Sequence, residues 1–229
     1  MQRYNTKTAL GSYTITTRLV KQLTEFMAHT LPGMLSSDLT LLHAEEHTTV
    51  TLIYSDHAVK YPTLSLYRNE PFTGEIEGLE LELAHVVKFE DVTKAIVVRL
   101  SFNTEKDSNY LYMALQDDSA DKELPAIEKK LLSVLQEYKN NHSVIYRSEW
   151  FTPIIFLIGG LFGSLTFQTH GQPLRSLFAL GFGISIYLFA FRYIKGYSSF
   201  ESNRQKRWNV FFRWFTAGVA CSVLAIMIF

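Results

Sequence analysis

Cysteine is almost absent from this sequence: Cys221 is the single one in 229 residues. No disulfide can therefore close within one chain, and no cysteine-based zinc site can form. Charge is absent from a whole stretch, because Trp150 to Leu174 contains no Asp, Glu, Lys or Arg. Recognisable catalytic signatures are missing as well. There is no nucleophile elbow, P-loop, dinucleotide fingerprint or kinase motif, so the reactions those motifs perform have no support in the sequence. The opening residues, Met1 to Lys7, contain no apolar core. A secretory signal peptide is thus not expected, and the first part of the chain should stay in the compartment where it is made.

The charge-free stretch organises the rest. Trp150 to Phe167 is almost wholly apolar, and two further apolar runs follow, Ser176 to Phe191 and Trp214 to Phe229. A bilayer core about 30 Å thick needs ~20 apolar helical residues. The neutral net charge conceals the same division. Residues 1–149 hold 15 Lys/Arg against 21 Asp/Glu, whereas residues 150–229 hold 7 against 1. The acidic first part argues against nucleic acid as a partner, since phosphate neutralisation needs Lys and Arg.

The expected organisation is an α+β cytosolic domain over 1–142, a linker over 143–149, and an all-α transmembrane bundle over 150–229. Its three helices are expected near 150–168, 174–193 and 208–229. The link between the second and third runs carries Arg192, Lys195, Arg204, Lys206 and Arg207, and Arg213 opens the third; the link between the first and second carries Arg175. By the positive-inside rule the Arg-rich link faces the cytosol, as on a bacterial inner membrane or its equivalent. These basic residues also suit anionic lipid headgroups. Trp150, Trp208 and Trp214 stand at run starts, where an interfacial aromatic belt belongs.

Within the first domain, Thr16 and Thr17 precede Leu19, Val20, Leu23, Phe26, Met27 and Leu31, the spacing of a capped amphipathic helix that Pro32-Gly33 ends. Tyr13 to Ile15 reads as a short strand before it. Period-two alternation then predicts strands at Leu39–His43, Thr48–Tyr54 and Val59–Tyr67, the last broken or at an edge because of Pro62. Glu75–Leu83, Lys94–Phe102 and Tyr110–Leu115 follow, with a hairpin over Asn103–Asn109. Glu75 and Glu77 occupy odd positions but Glu80 and Glu82 even ones, so a β-bulge at Gly78 restores one acidic face. A second helix is expected from about Pro125 to Tyr138. The sum is an antiparallel sheet with both helices on one face.

Three patterns bear on chemistry. His43-Ala-Glu-Glu-His47 spells an inverted zinc-protease motif, making His43, Glu46 and His47 candidate metal ligands. That motif works on a helix, and here the flanking alternation places it in a hairpin turn. The Glu75–Glu82 carboxylates lack the shaped loop that calcium needs and read as a solvated strand face. Small residues four apart mark every apolar run: Gly159/Gly163 and Gly160/Ser164 in the first, Ala179/Gly183 in the second, Ala217/Cys221 and Gly218/Ser222 in the third. Such seams let helix backbones approach closely in lipid. Gly159, Gly163 and Gly218 are accordingly expected at helix contacts, at least one of them between chains.

The expected function is a non-enzymatic membrane-anchored sensor or effector, without cofactor. A cytosolic domain would engage a ligand or protein and control an oligomeric bundle, one version being a membrane-perturbing or pore-forming effector, the plan some antiviral systems use. Two rivals stand beside it: a structural subunit of a membrane or envelope/transport complex, and a membrane-bound metal-dependent hydrolase using His43 and His47.

Overall fold

The computed structural model describes residues 3–35, 43–67, 72, 75–89, 92–117, 119–146, 150–168, 171–194, 196–201, 207–208, 210–211, 213–215 and 218. The chain divides into two compact units. One comprises Met1–Asn140 together with Tyr197–Asn203; the other comprises Asn141–Gly196 together with Arg204–Phe229.

The first unit is α+β. Its sheet has six antiparallel strands: β1 (Arg3–Ala9), β3 (Thr48–Tyr54), β4 (Ala58–Tyr61), β5 (Ile76–Phe89), β6 (Val92–Asn103) and β7 (Tyr110–Gln116), in the order β1-β7-β6-β5-β3-β4. A separate parallel pair joins β2 (Thr14–Ile15) to β8 (Ser199–Phe200). Alternation decides which face is buried. Leu79, Leu81 and Leu83 of β5, Val98 and Leu100 of β6, and Leu111 and Met113 of β7 all point into one core. Each such side chain contributes roughly 1.5–3 kcal/mol by leaving water.

Helix α1 (Thr17–Glu25) starts where Thr16 Oγ1 accepts the Leu19 backbone N–H at 3.1 Å. Its apolar face continues through a widened turn, Phe26–Thr30, closed by Leu31 N–H donating to Phe26 O at 2.9 Å. Leu19, Val20, Leu23, Phe26, Met27 and Leu31 are all buried, as the spacing requires. Helix α2 (Ala120–Gln136) begins five residues before the expected start at Pro125. Ser119 O accepts from the N–H groups of both Lys122 and Glu123, and acidic Asp121 and Glu123 suit the positive end of the helix dipole. Proline is thus accommodated inside the helix at its sixth residue, where it removes one hydrogen bond.

Other expectations are corrected in detail. β4 stops at Tyr61, immediately before Pro62, and a 3₁₀ turn over Leu64–Leu66 replaces the rest of the strand drawn to Tyr67. The register of β3 against β5 shifts between Ile53/Gly78 and Tyr54/Ile76, which is the bulge that the flipped glutamates demanded. A Cβ on Gly78 would lie 3.0 Å from the Ile53 side chain, so the bulge also needs a residue without one. β5 and β6 extend beyond their expected ends and pair out to Phe89↔Val92. The expected strand at Leu39–His43 falls mostly outside the described residues. His43 itself lies in a turn with φ 57°, a backbone that does not continue a strand. One edge of the sheet is β1, which the alternation did not predict, paired in register with β7 from Arg3↔Gln116 to Ala9↔Tyr110.

The second unit contains a short helix α3 (His142–Tyr146), then α4 (Phe151–Gln168) and α5 (Gln172–Ile194). Among the described residues one helix, Phe151–Gln168, is long and apolar enough to cross a membrane; the apolar part of α5, Leu177–Phe191, is shorter. A three-helix bundle therefore remains a finer reading than the fold itself gives. Ala217, Cys221 and Ser222 of the expected third helix lie outside the described residues.

Candidate functional site

The α4–α5 packing is built from glycines. A Cβ on Gly159 would come within 3.0 Å of Ser185 Cβ, one on Gly163 within 3.3 Å of the Phe182 ring, and one on Gly181 within 2.8 Å of the Phe162 ring. Gly159 and Gly163 are buried with Ile155 on the same face of α4. The hydroxyls within the hairpin bond back to the turn before them: Ser185 Oγ donates to Gly181 O at 2.9 Å and Thr166 Oγ1 to Phe162 O at 2.7 Å. These two hydroxyls are thus satisfied within their own helices.

A different face is left open. Gly160 and Ser164 are exposed, and a Cβ on Gly160, Gly183 or Gly218 would meet nothing within 4 Å. An apolar groove of about 330 Å³ runs beside Gly160 and borders the packed face as well, being lined by Ile155, Phe156, Gly159, Phe182, Ser185, Ile186 and Phe189. Ala179 is also exposed. The two seams of α4 therefore differ: Gly159/Gly163 packs against α5, whereas among the described residues a Cβ on Gly160 would meet nothing within 4 Å. The third apolar run opens against α5, where the Phe215 ring stacks on Tyr187 at 5.4 Å and 13°.

The basic residues expected at the interface are only partly described. Arg207 and Arg213 are exposed; Lys195, Arg204, Lys206 and the side chain of Arg192 lie outside the described residues.

In the α+β unit the candidate metal residues are not gathered. His43 and Glu46 are exposed in the turn before β3, and the described ring contact of His47 is with His85 of β5, at 4.4 Å between centroids. No group of three metal-ligating side chains occurs among the described residues. Both His85 nitrogens are shielded from solvent without a hydrogen-bond partner. Burial, and secondarily the neighbouring His47, hold its pKa below the ordinary 6.5. Sequence spacing had no means of pairing His47 with His85, because the contact follows from strand register.

The glutamate face is neutralised from the adjacent strand. Arg99 Nε lies 3.1 Å from Glu80 Oε1, and its terminal nitrogen 2.7 Å from Glu82 Oε1. The Glu82 hydrogen bond raises the Arg99 pKa against the opposing effect of burial. Two carboxylates committed to one guanidinium make a sheet-surface ion network rather than a cation site.

Sequence reasoning missed one constellation altogether. Tyr197–Phe200, expected as part of an exposed interhelical link, is woven into the α+β unit: Tyr197, Ser198, Ser199 and Phe200 are all buried. Ser198 Oγ donates to Asn109 Oδ1 at 2.8 Å, and Phe200 packs edge-on against Phe72. The available signal was the uncharged run Gly196–Phe200 interrupting a basic stretch.

These features define a class in structural terms: an antiparallel α+β unit carrying an apolar helical hairpin. Comparison with protein-family models, with curated proteins and with solved structures finds no match.

Proposed function

We propose that the chain is a membrane-anchored sensor or effector whose α+β unit recognises a ligand or partner and governs a helical bundle in the bilayer. The observation that carries this reading is the distribution of apolar surface on α4. Trp150, Phe156 and Leu157 are each more than 70% exposed, and Phe167 is 81% exposed, while the buried positions are Ile155, Gly159 and Gly163. A water-soluble helix buries its large apolar residues on one stripe. Here glycines take two of the three buried positions while Phe156, Leu157 and Phe167 lie outside, an arrangement suited to lipid. Leaving such side chains in water costs roughly 1.5–3 kcal/mol each.

Chain connectivity supports the orientation. The chain leaves the α+β unit after Asn140 and is part of it again from Tyr197. Helices α4 and α5 are thus an out-and-back excursion, and its two ends share a face in this reading. The third apolar run, whose Phe215 stacks on Tyr187, adds a further span, with the basic Arg192–Trp208 link on the same face as the α+β unit. That face is the cytosolic one by the positive-inside rule. The exposed Gly160/Ser164 seam is where a second copy docks.

Recognition rather than catalysis is the part drawn from the sequence, which carries no catalytic signature. The test is to express the full chain, fractionate membranes, extract in mild detergent and measure mass by native mass spectrometry. The expected result is retention in the membrane pellet and a homo-oligomer on extraction. A monomer that remains in the high-speed supernatant without detergent would contradict the proposal.

A further inference from the structure

The segment Ser12–Ile15 holds two passages of the chain at once. On one side is the chain leaving for the helical residues. Thr14 N–H donates to Tyr138 O at 2.8 Å, Asn140 N–H to Ser12 O at 2.9 Å, and Ser12 Oγ to Asn140 O at 3.1 Å. On the other side is the chain returning from them. Ser199 N–H donates to Tyr13 O at 2.9 Å, Glu201 N–H to Ile15 O at 2.9 Å, and Tyr13 N–H to Ser198 Oγ at 3.4 Å. Tyr13 bridges antiparallel to Lys139, while Thr14 and Ile15 run parallel to Ser199 and Phe200. The result is a three-stranded junction with a piece of the N-terminal region at its centre.

The returning strand is gripped again from the β6–β7 turn. Tyr197 N–H donates to Thr104 O at 2.7 Å and Ser198 N–H to Asn103 O at 3.2 Å. Asn109, itself buried, receives Ser198 Oγ and the Asn103 N–H on its amide oxygen while donating to Asn103 O and Glu105 O. Ser12 and Ser198 are fully buried. Buried polar groups in one connected network are costly to separate singly, because each rupture strands partners away from water. The central segment also runs directly into α1 through the Thr16 cap. Loss of one neighbour would leave this central segment held from one side alone.

We infer that Ser12–Ile15 is a coupling element, through which a displacement in the α+β unit reaches the outgoing and returning connections of residues 141–196 together. The inference rests on contacts inside the α+β unit and stands whether or not the helices cross a bilayer.

Hydrogen exchange on the full chain in mild detergent tests it. Ser199→Pro removes the N–H donated to Tyr13 O. The expected result is exchange faster by about tenfold or more at 197–201 and also at Thr14 and Asn140, on the opposite side of the junction, with Leu81 and Leu100 amides unchanged. Acceleration confined to 197–201 would overturn the inference. A complementary lock covers the case in which the proline variant unfolds the whole unit. The Thr14 and Ser199 hydroxyl oxygens are 3.4 Å apart, so Thr14→Cys with Ser199→Cys, in a Cys221→Ser background, places two thiols within disulfide reach. Oxidation is expected to slow exchange at Ser198, Glu201 and Asn140 alike. Failure to cross-link, or slowing limited to the returning strand, would refute the coupling.

Discussion

The two units treat large apolar side chains in opposite ways. In the α+β unit Leu79, Leu81 and Leu83 point inward while Glu80 and Glu82 face out to Arg99. In α4 the buried positions are Ile155, Gly159 and Gly163, and Phe156, Leu157 and Phe167 face out. The first unit completes its own core. The second leaves Phe156, Leu157 and Phe167 exposed and places glycines against side chains of the facing helix where α4 and α5 meet. The difference teaches that hydrophobicity alone does not define a core: what matters is which side of an element the large residues occupy.

The sharpest way to break this comparison is to place the same charge in both units. Leu81→Asp should cost the α+β unit about 4 kcal/mol or more, because an unpaired carboxylate would sit at a fully buried position. Chemical denaturation followed by circular dichroism would register it as loss of the sheet transition. Leu157→Asp, at an exposed position of α4, should leave that transition in place and instead reduce membrane retention. Equal damage to the sheet from both would erase the distinction.

Next in size are the glycine seams. Gly163→Ile drives a branched side chain against Phe182 and should destabilise the hairpin by about 1–3 kcal/mol, read as a lower melting temperature in detergent. Gly160→Ile adds a Cβ that meets nothing within 4 Å among the described residues. It should leave the monomer's melting unchanged and lower the oligomer fraction seen by native mass spectrometry.

Smaller again is the helix cap. Thr16→Ala removes the acceptor for Leu19 N–H and should cost about 1 kcal/mol, measurable as a shift in denaturation midpoint. The smallest expected effect concerns pH. The folded-state pKa of His85 is lowered from 6.5, so below that value the unfolded chain binds a proton that the folded one resists. The His85 contribution to stability should be constant above pH 6.5 and decline as pH falls below it. His85→Leu should flatten that slope in thermal melts between pH 7 and pH 5; an unaltered slope would place its origin elsewhere.

The sequence was most legible where one period ran uninterrupted. The α1 face from Leu19 to Leu31, strand Thr48–Tyr54 and the bulge at Gly78 all followed from spacing and glutamate phase. It was silent where side chains give no contrast. β1 presents Thr6 and Thr8 where other strands present Leu, so its alternation is hydroxyl against charge and carries little hydropathic signal. β8 is two residues long, too short for any period, and its partners are 185 positions away. Proline favours the first turn of a helix, so Pro125 points to a start later than the actual one, where the Ser119 carbonyl opens the turn. In the hairpin, the small-residue seams were visible, but their direction was not. Which of Gly159 and Gly160 faces α5 depends on helix rotation, fixed by the contacts with Ser185 and Phe182.

The central claim is that α4 and α5 leave one face of a membrane and return to it. Cysteine accessibility in sealed vesicles of known orientation tests this directly, in a Cys221→Ser background. Gly171→Cys marks the turn between α4 and α5, and Glu137→Cys marks an exposed position near the end of α2. The account predicts that an impermeant maleimide labels these two positions from opposite sides of the bilayer. Labelling of both from the same side would contradict it.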